Sequence, residues 1–241
     1  MRIGCLLLAL GLGSLSNAQD RQAEDSSNWR VGAAFAYGLS HRELQSDGSS
    51  PLSPGIIELR NRLEEPGTFL GGSVDVLYDI GHRWSIGTGI QVLQLGYRIG
   101  PVPLATFDDP EGTDGATALV FDRYTFLSVP FMAHFRIGQG VLRFQPALGL
   151  AADALVEATA RAEQTTANGS TTTSRSSINA DQFNRLNLSG VVELNFLYQV
   201  GTRWQLRLSP TARHQLLWMN DGFILERLYA GGVGLGVLFT L

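Results

Sequence analysis

The most constraining feature of this sequence is a period-two alternation of apolar with polar or small side chains, which recurs along most of the chain. In the clearest case, Leu194, Phe196 and Tyr198 alternate with Asn195 and Gln199. Successive side chains of a β-strand point to opposite faces, so each such segment predicts a strand with one apolar face. Eight strands are predicted in this way, over residues 29–39, 68–80, 84–99, 123–137, 141–156, 185–200, 204–217 and 228–241.

The connections between these strands alternate strictly between short and long. Tight turns lie at 81–83, 138–140 and 201–203, and longer loops at 40–66, 100–122, 157–184 and 218–227. Short periplasmic turns and long extracellular loops are typical of outer-membrane barrels, whose strands need roughly 9–11 residues to cross the bilayer. The sequence therefore predicts an all-β protein: an eight-stranded antiparallel transmembrane β-barrel with up-and-down meander topology.

The third predicted strand changes phase within its length. Its apolar positions run from Trp84 to Ile90 with one parity and continue at Leu93, Leu95 and Tyr97 with the other. One extra residue would keep all of them on the lipid face, so we predict a β-bulge near Val92.

The N-terminus has the layout of a secretory signal peptide. Arg2 supplies a positive charge, residues 5–12 are apolar, and small residues precede a predicted cleavage after Ala18. We predict a signal peptide over 1–18, a periplasmic lead-in over 19–28 and a barrel domain over 29–241. With an even number of strands, both termini of the barrel lie in the periplasm. The net charge of −4 argues against a nucleic-acid partner.

Aromatic residues cluster at the predicted strand ends. Five of them would form a girdle at the periplasmic interface of the membrane: Trp29, Trp84, Tyr198, Trp204 and Phe239. A second set would form the opposite girdle: Tyr37, Tyr97, Tyr124 and Trp218.

Charged residues fall mainly on the other face of the strands, which predicts a polar lumen because the lipid face penalises charge. The predicted lumen network comprises Arg30, Asp75, Asp79, His134, Arg136, Arg143, Asp153, Glu193, Arg207 and Arg213. Mixed charges in a narrow lumen favour a paired, rigidifying plug, and a narrow ion path is the alternative. The histidines show no nucleophile–base–acid pattern, so no enzymatic activity, cofactor or metal site is predicted.

The opposite assignment of the faces describes a soluble lipocalin-like carrier with the apolar side chains around a ligand. Such an interior would have to hold some fifty large side chains. An eight-stranded barrel is only wide enough to be filled by its own side chains, which fits faces rich in Gly, Ala and Ser better. The membrane assignment is therefore favoured.

Three segments resemble the PorT-type outer-membrane β-barrel family, which is found mostly in Bacteroidota. They are RYTFLSVPFMAHF at 123–135, FQPALGL at 144–150 and GGVGLGVLF at 231–239. The chain departs from the family pattern at Ser128, where an acidic residue is usual, and at its last residue, Leu241, which is not aromatic. The resemblance implies an outer-membrane location, insertion by the barrel-assembly machinery and, from the family name, an accessory role in secretion.

The long loops carry the remaining functional expectations. Residues 165–177 are rich in Ser and Thr and predict an exposed loop tip, and four carboxylates at 108–114 are expected to be solvated, with a divalent cation as the alternative. The predicted function is structural or a surface interaction such as adhesion. A narrow transport pore is the alternative. The predicted partners are outer-membrane lipid and lipopolysaccharide, and an extracellular molecule that binds the loops.

Overall fold

The computed structural model describes residues 28–104, 115–166, 168–179 and 182–241, and the predicted signal peptide and most of the lead-in lie outside these ranges. The described residues form nine strands and one helix: β1 (Trp29–Ser46), α1 (Ser53–Leu63), β2 (Glu64–Ile80), β3 (Trp84–Pro103), β4 (Thr117–Phe135), β5 (Leu142–Thr165), β6 (Thr171–Ser177), β7 (Leu186–Val200), β8 (Trp204–Gln215) and β9 (Ile224–Thr240). Among them, no helix has the length and apolar composition needed to cross a membrane.

Eight of the strands close into a ring in which every neighbour is antiparallel. The order is β1, β2, β3, β4, β5, β7, β8 and β9, and β9 pairs with β1 from Ser46↔Ile224 to Arg30↔Thr240. This confirms the predicted eight-stranded barrel. The ninth strand, β6, pairs only with β5 and extends the sheet beyond the ring.

One end of the barrel, which we call the turn end, carries the short connections 81–83, 136–141 and 201–203. Gly81 and Gly201 adopt positive φ angles of 72° and 70° there, a conformation that glycine reaches without strain. The other end, the loop end, carries the long connections. The strands reach further into it than predicted, because the pairing of β4 with β5 continues to Thr117↔Thr165, where residues 118–121 of β4 form an apolar run without the period-two alternation.

The apolar faces of the strands point outward. Phe35, Phe131, Leu148 and Leu235 are all more than half exposed, although they lie in the middle of the ring. An apolar exterior around a closed ring is the architecture of a transmembrane barrel and excludes the lipocalin-like assignment of the faces.

The outward apolar belt ends in aromatic pairs at the turn end. Ring centroids of Trp29 and Tyr78, Trp84 and Phe135, and Trp204 and Phe239 are 4.8, 4.9 and 4.8 Å apart; Tyr198 is exposed at the end of β7. At the loop end the prediction fails in part. Tyr37 is exposed, but Tyr97 and Tyr124 are buried inside the barrel.

The predicted bulge near Val92 is wrong. The registers of β3 with β2 and with β4 run through Val92 without a shift, so Leu93, Leu95 and Tyr97 keep their parity and face the lumen. A register shift occurs instead opposite Thr125 and Phe126, where Val156 is the extra residue of β5.

Helix α1 lies in the connection between β1 and β2, where a loop was predicted. Pro54 occupies its first turn, a position that tolerates the missing N–H, and Arg60 and Arg62 in its last turn complement the helix dipole. Glu58 and Arg62 form an ion pair with i,i+4 spacing, and such pairs stabilise exposed helices.

Candidate functional site

The lumen near the turn end is filled by a hydrogen-bonded charge cluster. The Arg30 guanidinium donates to Asp79 Oδ1 at 2.6 Å and to Ser85 Oγ at 3.1 Å. Arg136 donates to the other carboxylate oxygen of Asp79 at 2.9 Å. The Asp79 carboxylate therefore accepts hydrogen bonds from two guanidinium groups, one on β1 and one in the turn after β4.

Two further ion pairs occupy the middle of the lumen. Arg207 of β8 donates to the Asp75 carboxylate, and Arg213 of the same strand donates to Asp153 of β5. Arg213 also donates to Ser128 Oγ at 2.6 Å. All four charged side chains are nearly inaccessible to solvent, so each pair compensates charges that would be costly alone.

The other three predicted lumen residues are placed differently from one another. His134 is buried and lines the same small cavity as Asp75 and Arg207. Glu193 accepts only one long hydrogen bond, of 3.4 Å, from Asn195 Nδ2. Arg143 lies at the rim of the turn end, where it donates to the carbonyl oxygen of Gly140 at 3.0 Å. The structure thus joins seven of the predicted residues into ion pairs and leaves these three outside them.

The half of the lumen nearer the loop end is apolar, which sequence reasoning missed. Eight large side chains form its core: Phe69, Leu93, Leu95, Tyr97, Tyr124, Phe126, Leu155 and Leu228. Met219, from the connection between β8 and β9, packs against them and is 2% exposed. The lumen therefore consists of two layers in series: a polar layer, which also contains small apolar clusters around Leu238 and Val191, and an apolar layer.

A second charge cluster covers the apolar layer at the loop end. Arg42 donates to Glu64 Oε2 and to Glu226 Oε2, both at 2.7 Å, and its guanidinium carbon lies 3.7 Å from the centroid of the Tyr97 ring. Arg60 of α1 donates to the same two carboxylates, at 3.2 and 3.1 Å. The cluster fastens α1 to β2 and β9. It was missed because residues 40–66 were assigned to a loop.

A void between the two layers has a volume of about 60 Å³ and is lined by Phe69, Leu93, Glu193 and Arg213, among others. A water molecule needs roughly 10–15 Å³ measured in this way, so the void holds a few waters. Apart from this void, the buried ion pairs and the apolar core occupy the described lumen.

Outside the belt at the loop end, Arg227 donates to both carboxylate oxygens of Glu43, at 2.7 and 2.9 Å. These hydrogen bonds lower the pKa of Glu43, and His214 contributes in the same direction from 3.4 Å. Within the described ranges, no three His, Cys, Asp or Glu side chains are close enough to hold a metal ion. The four carboxylates of 108–114 lie outside those ranges, so the cation alternative stays a prediction.

Comparison with protein families gives no match, and no curated protein matches the sequence. Solved structures with similar folds include Neisserial surface protein A, which is 14% identical, covers 90% of this chain and 100% of its own, and has a TM-score of 0.45. OprG, an outer membrane protein from Pseudomonas aeruginosa, is 10% identical over 90% of this chain and 98% of its own, with a TM-score of 0.46. Ail, the attachment invasion locus protein of Yersinia pestis, is 12% identical over 87% and 99%, with a TM-score of 0.36. The closed ring of strands shows the barrel fold, and the PorT-type resemblance stays a prediction.

Proposed function

We propose that this chain is a small outer-membrane barrel whose loop end acts at the cell surface as a protein-binding surface. In this arrangement the turn end, which carries both ends of the strand ring, faces the periplasm. The barrel body anchors the surface in lipid, with lipopolysaccharide around the loop end, and the barrel-assembly machinery inserts it. The proposed role is non-catalytic.

The observation that carries this proposal is the filled lumen. The ion pairs of Arg207 and Arg213 close its polar layer, and the core around Phe126 and Leu228 closes the next. A transport pore would require both layers to move aside together. An interaction role requires no such movement, because its working surface is already outside the membrane.

The loop end also presents a folded surface. Towards the loop end, the pairing of β4 with β5 continues beyond Leu127 to Thr117, and β6 adds a further strand to the same sheet. Every residue of β6 is exposed, and this strand stands at the end of the described strand order. Edge strands can accept an extended segment of another chain through backbone hydrogen bonds, with neighbouring side chains supplying specificity.

A hairpin truncation tests the interaction role. Ala160 faces Ser176 across the β5–β6 pair, so residues 161–175 are replaced by Asn-Gly, which forms a two-residue hairpin turn at that position. Cells that carry the wild-type protein are expected to be retained on immobilised fibronectin or laminin above an albumin surface, and cells with the truncation to lose this retention. The control is Arg203→Gln, a change in an exposed turn at the opposite end.

Heat-dependent gel mobility verifies that each variant is folded. Equal retention of wild-type and truncated cells would contradict the interaction role. Purified protein in planar bilayers is expected to be silent over a wide voltage range, and stepwise conductance would favour the transport alternative.

A further inference from the structure

A pocket at the turn end gathers basic side chains. It lies between the turns 81–83 and 136–141, has a volume of about 580 Å³, and is lined by His82, Arg83, Arg136 and Arg143. Of these, Arg136 shares the Asp79 carboxylate with Arg30. Arg83 and Arg143 form no ion pair with any residue that the structure describes, so the pocket carries uncompensated positive charge.

An apolar groove lies on the lipid-facing side of the same strands. It has a volume of about 710 Å³ and is bordered by Trp29 and Tyr78 on one side and by Phe131 on the other. Thr88 and Ala133 leave it open between these larger side chains, and its lining is almost entirely apolar. Its width and chemistry fit an acyl chain.

Groove and pocket follow one another along β3 and β4. The pairs Thr88↔Phe131 and Ile86↔Ala133 border the groove, and the next outward pair, Trp84↔Phe135, separates it from the pocket. From Ala133 to Arg136 the chain advances three residues, which is about 10 Å in a strand. That is comparable to the separation between a lipid phosphate and the upper part of its acyl chain.

We propose that this composite site binds one anionic glycerophospholipid of the leaflet at the turn end. The headgroup phosphate accepts hydrogen bonds at the rim of the turn end from Arg83 and Arg143, and one acyl chain lies in the groove. Guanidinium groups suit this role because they donate paired hydrogen bonds to phosphate. The excess positive charge disfavours headgroups that carry an ammonium group of their own.

Native mass spectrometry of the purified full-length protein tests the site, with an equimolar mixture of phosphatidylglycerol and phosphatidylcholine as the probe. We expect one phosphatidylglycerol to be retained in preference. An arginine near a membrane surface contributes about fivefold to anionic-lipid affinity, so Arg83→Gln with Arg143→Gln should weaken retention by about 25-fold. Each single substitution should weaken it by about fivefold. Arg203→Gln, in the turn across the barrel, should leave it unchanged.

The groove is tested by Ala133→Trp, which fills it, against Ala212→Trp, an equivalent outward-facing alanine on β8. We expect phosphatidylglycerol retention to fall in the first variant alone, with all variants keeping the heat-dependent gel shift of a folded barrel. Equal retention of both lipids by the wild type overturns the proposal. The proposal is also overturned if phosphatidylglycerol retention falls in the arginine variants but not in Ala133→Trp, or if excess inorganic phosphate displaces the lipid. Both outcomes indicate a site for a free anion.

Discussion

The ion pair between Arg213 and Asp153 permits a quantitative test of the lumen. Its side chains are 6% and 2% exposed, and it links β8 to β5 inside the ring. Arg213→Met leaves the Asp153 carboxylate buried with only the Ser189 hydroxyl as donor. Removing one partner of a buried pair costs about 3–5 kcal/mol, and Asp153→Leu is expected to cost a similar amount.

The double variant Arg213→Met/Asp153→Leu should lose much less free energy of unfolding than the sum of the losses in the two single variants. With both charges replaced by apolar side chains, the remaining penalty is the lost hydrogen bonds of Ser128, Ser189 and Gln91, about 1–3 kcal/mol together. The coupling free energy is then at least about 3 kcal/mol. With a urea dependence of about 2 kcal/mol per molar, this corresponds to a midpoint difference of at least about 1.5 M.

The assay is urea unfolding of the protein in phospholipid vesicles. It is followed by tryptophan fluorescence, because Trp29, Trp84 and Trp204 lie at one interface of the belt. The matched control is Arg175→Met, which breaks an exposed pair with Glu157 and should cost no more than about 1 kcal/mol. If the double variant were as unstable as the sum of the single variants, the buried pair would not be the unit that stabilises the lumen.

Three further perturbations test separate parts of the barrel. A Cβ atom at Gly38 would lie 2.1 Å from a carbonyl oxygen of β9, so Gly38→Ala should cost about 1–3 kcal/mol in urea unfolding, whereas Gly72→Ala, with open space, should change little. The Arg227 hydrogen bond lowers the pKa of Glu43, so its stabilisation is present above the unfolded value of 4.5 and disappears as pH falls through the lower folded value. Unfolding of wild type and Glu43→Gln should therefore differ at neutral pH and converge in acid. Arg42→Met should speed hydrogen exchange in α1 by more than tenfold, because it removes the buried guanidinium between Glu64 and Glu226 and leaves the two carboxylates beneath the helix with the half-buried Arg60 as their shared cation.

The exterior of the barrel was predictable because lipid imposes one rule on every strand. Each outward position in the belt must be apolar, so the period-two pattern gives strand number, direction and face from local sequence alone. Charged residues at inward positions, such as Arg30 and Asp153, could be placed in the lumen by the same rule. Which of these residues pair with one another could not be predicted, because the ion pairs join residues far apart in the sequence and no local pattern links them.

The apolar half of the lumen was not predicted because nothing in the sequence distinguishes its residues from the apolar residues that face lipid. Leu93, Leu95 and Tyr97 are as apolar as the outward residues before them, and a bulge near Val92 would have explained the change of parity equally well. The pairing of β3 with both neighbours, which continues through Val92 without a shift, and the burial of Leu93, Leu95 and Tyr97 decide between the two explanations. A lumen that is apolar at one end breaks the assumption that inward means polar.

The apolar layer has a consequence for the surface above it. Met219, Ile178 and Phe183 belong to connections between strands, yet all three pack against the lumen core. The loop end is therefore anchored from below by the core and from the side by the ion pairs that Arg42 and Arg60 make. A surface held in this way loses little conformational entropy on binding, because it is already ordered in the unbound protein. The same packing closes the channel, so the residues that argue against transport also preorganise the surface for interaction.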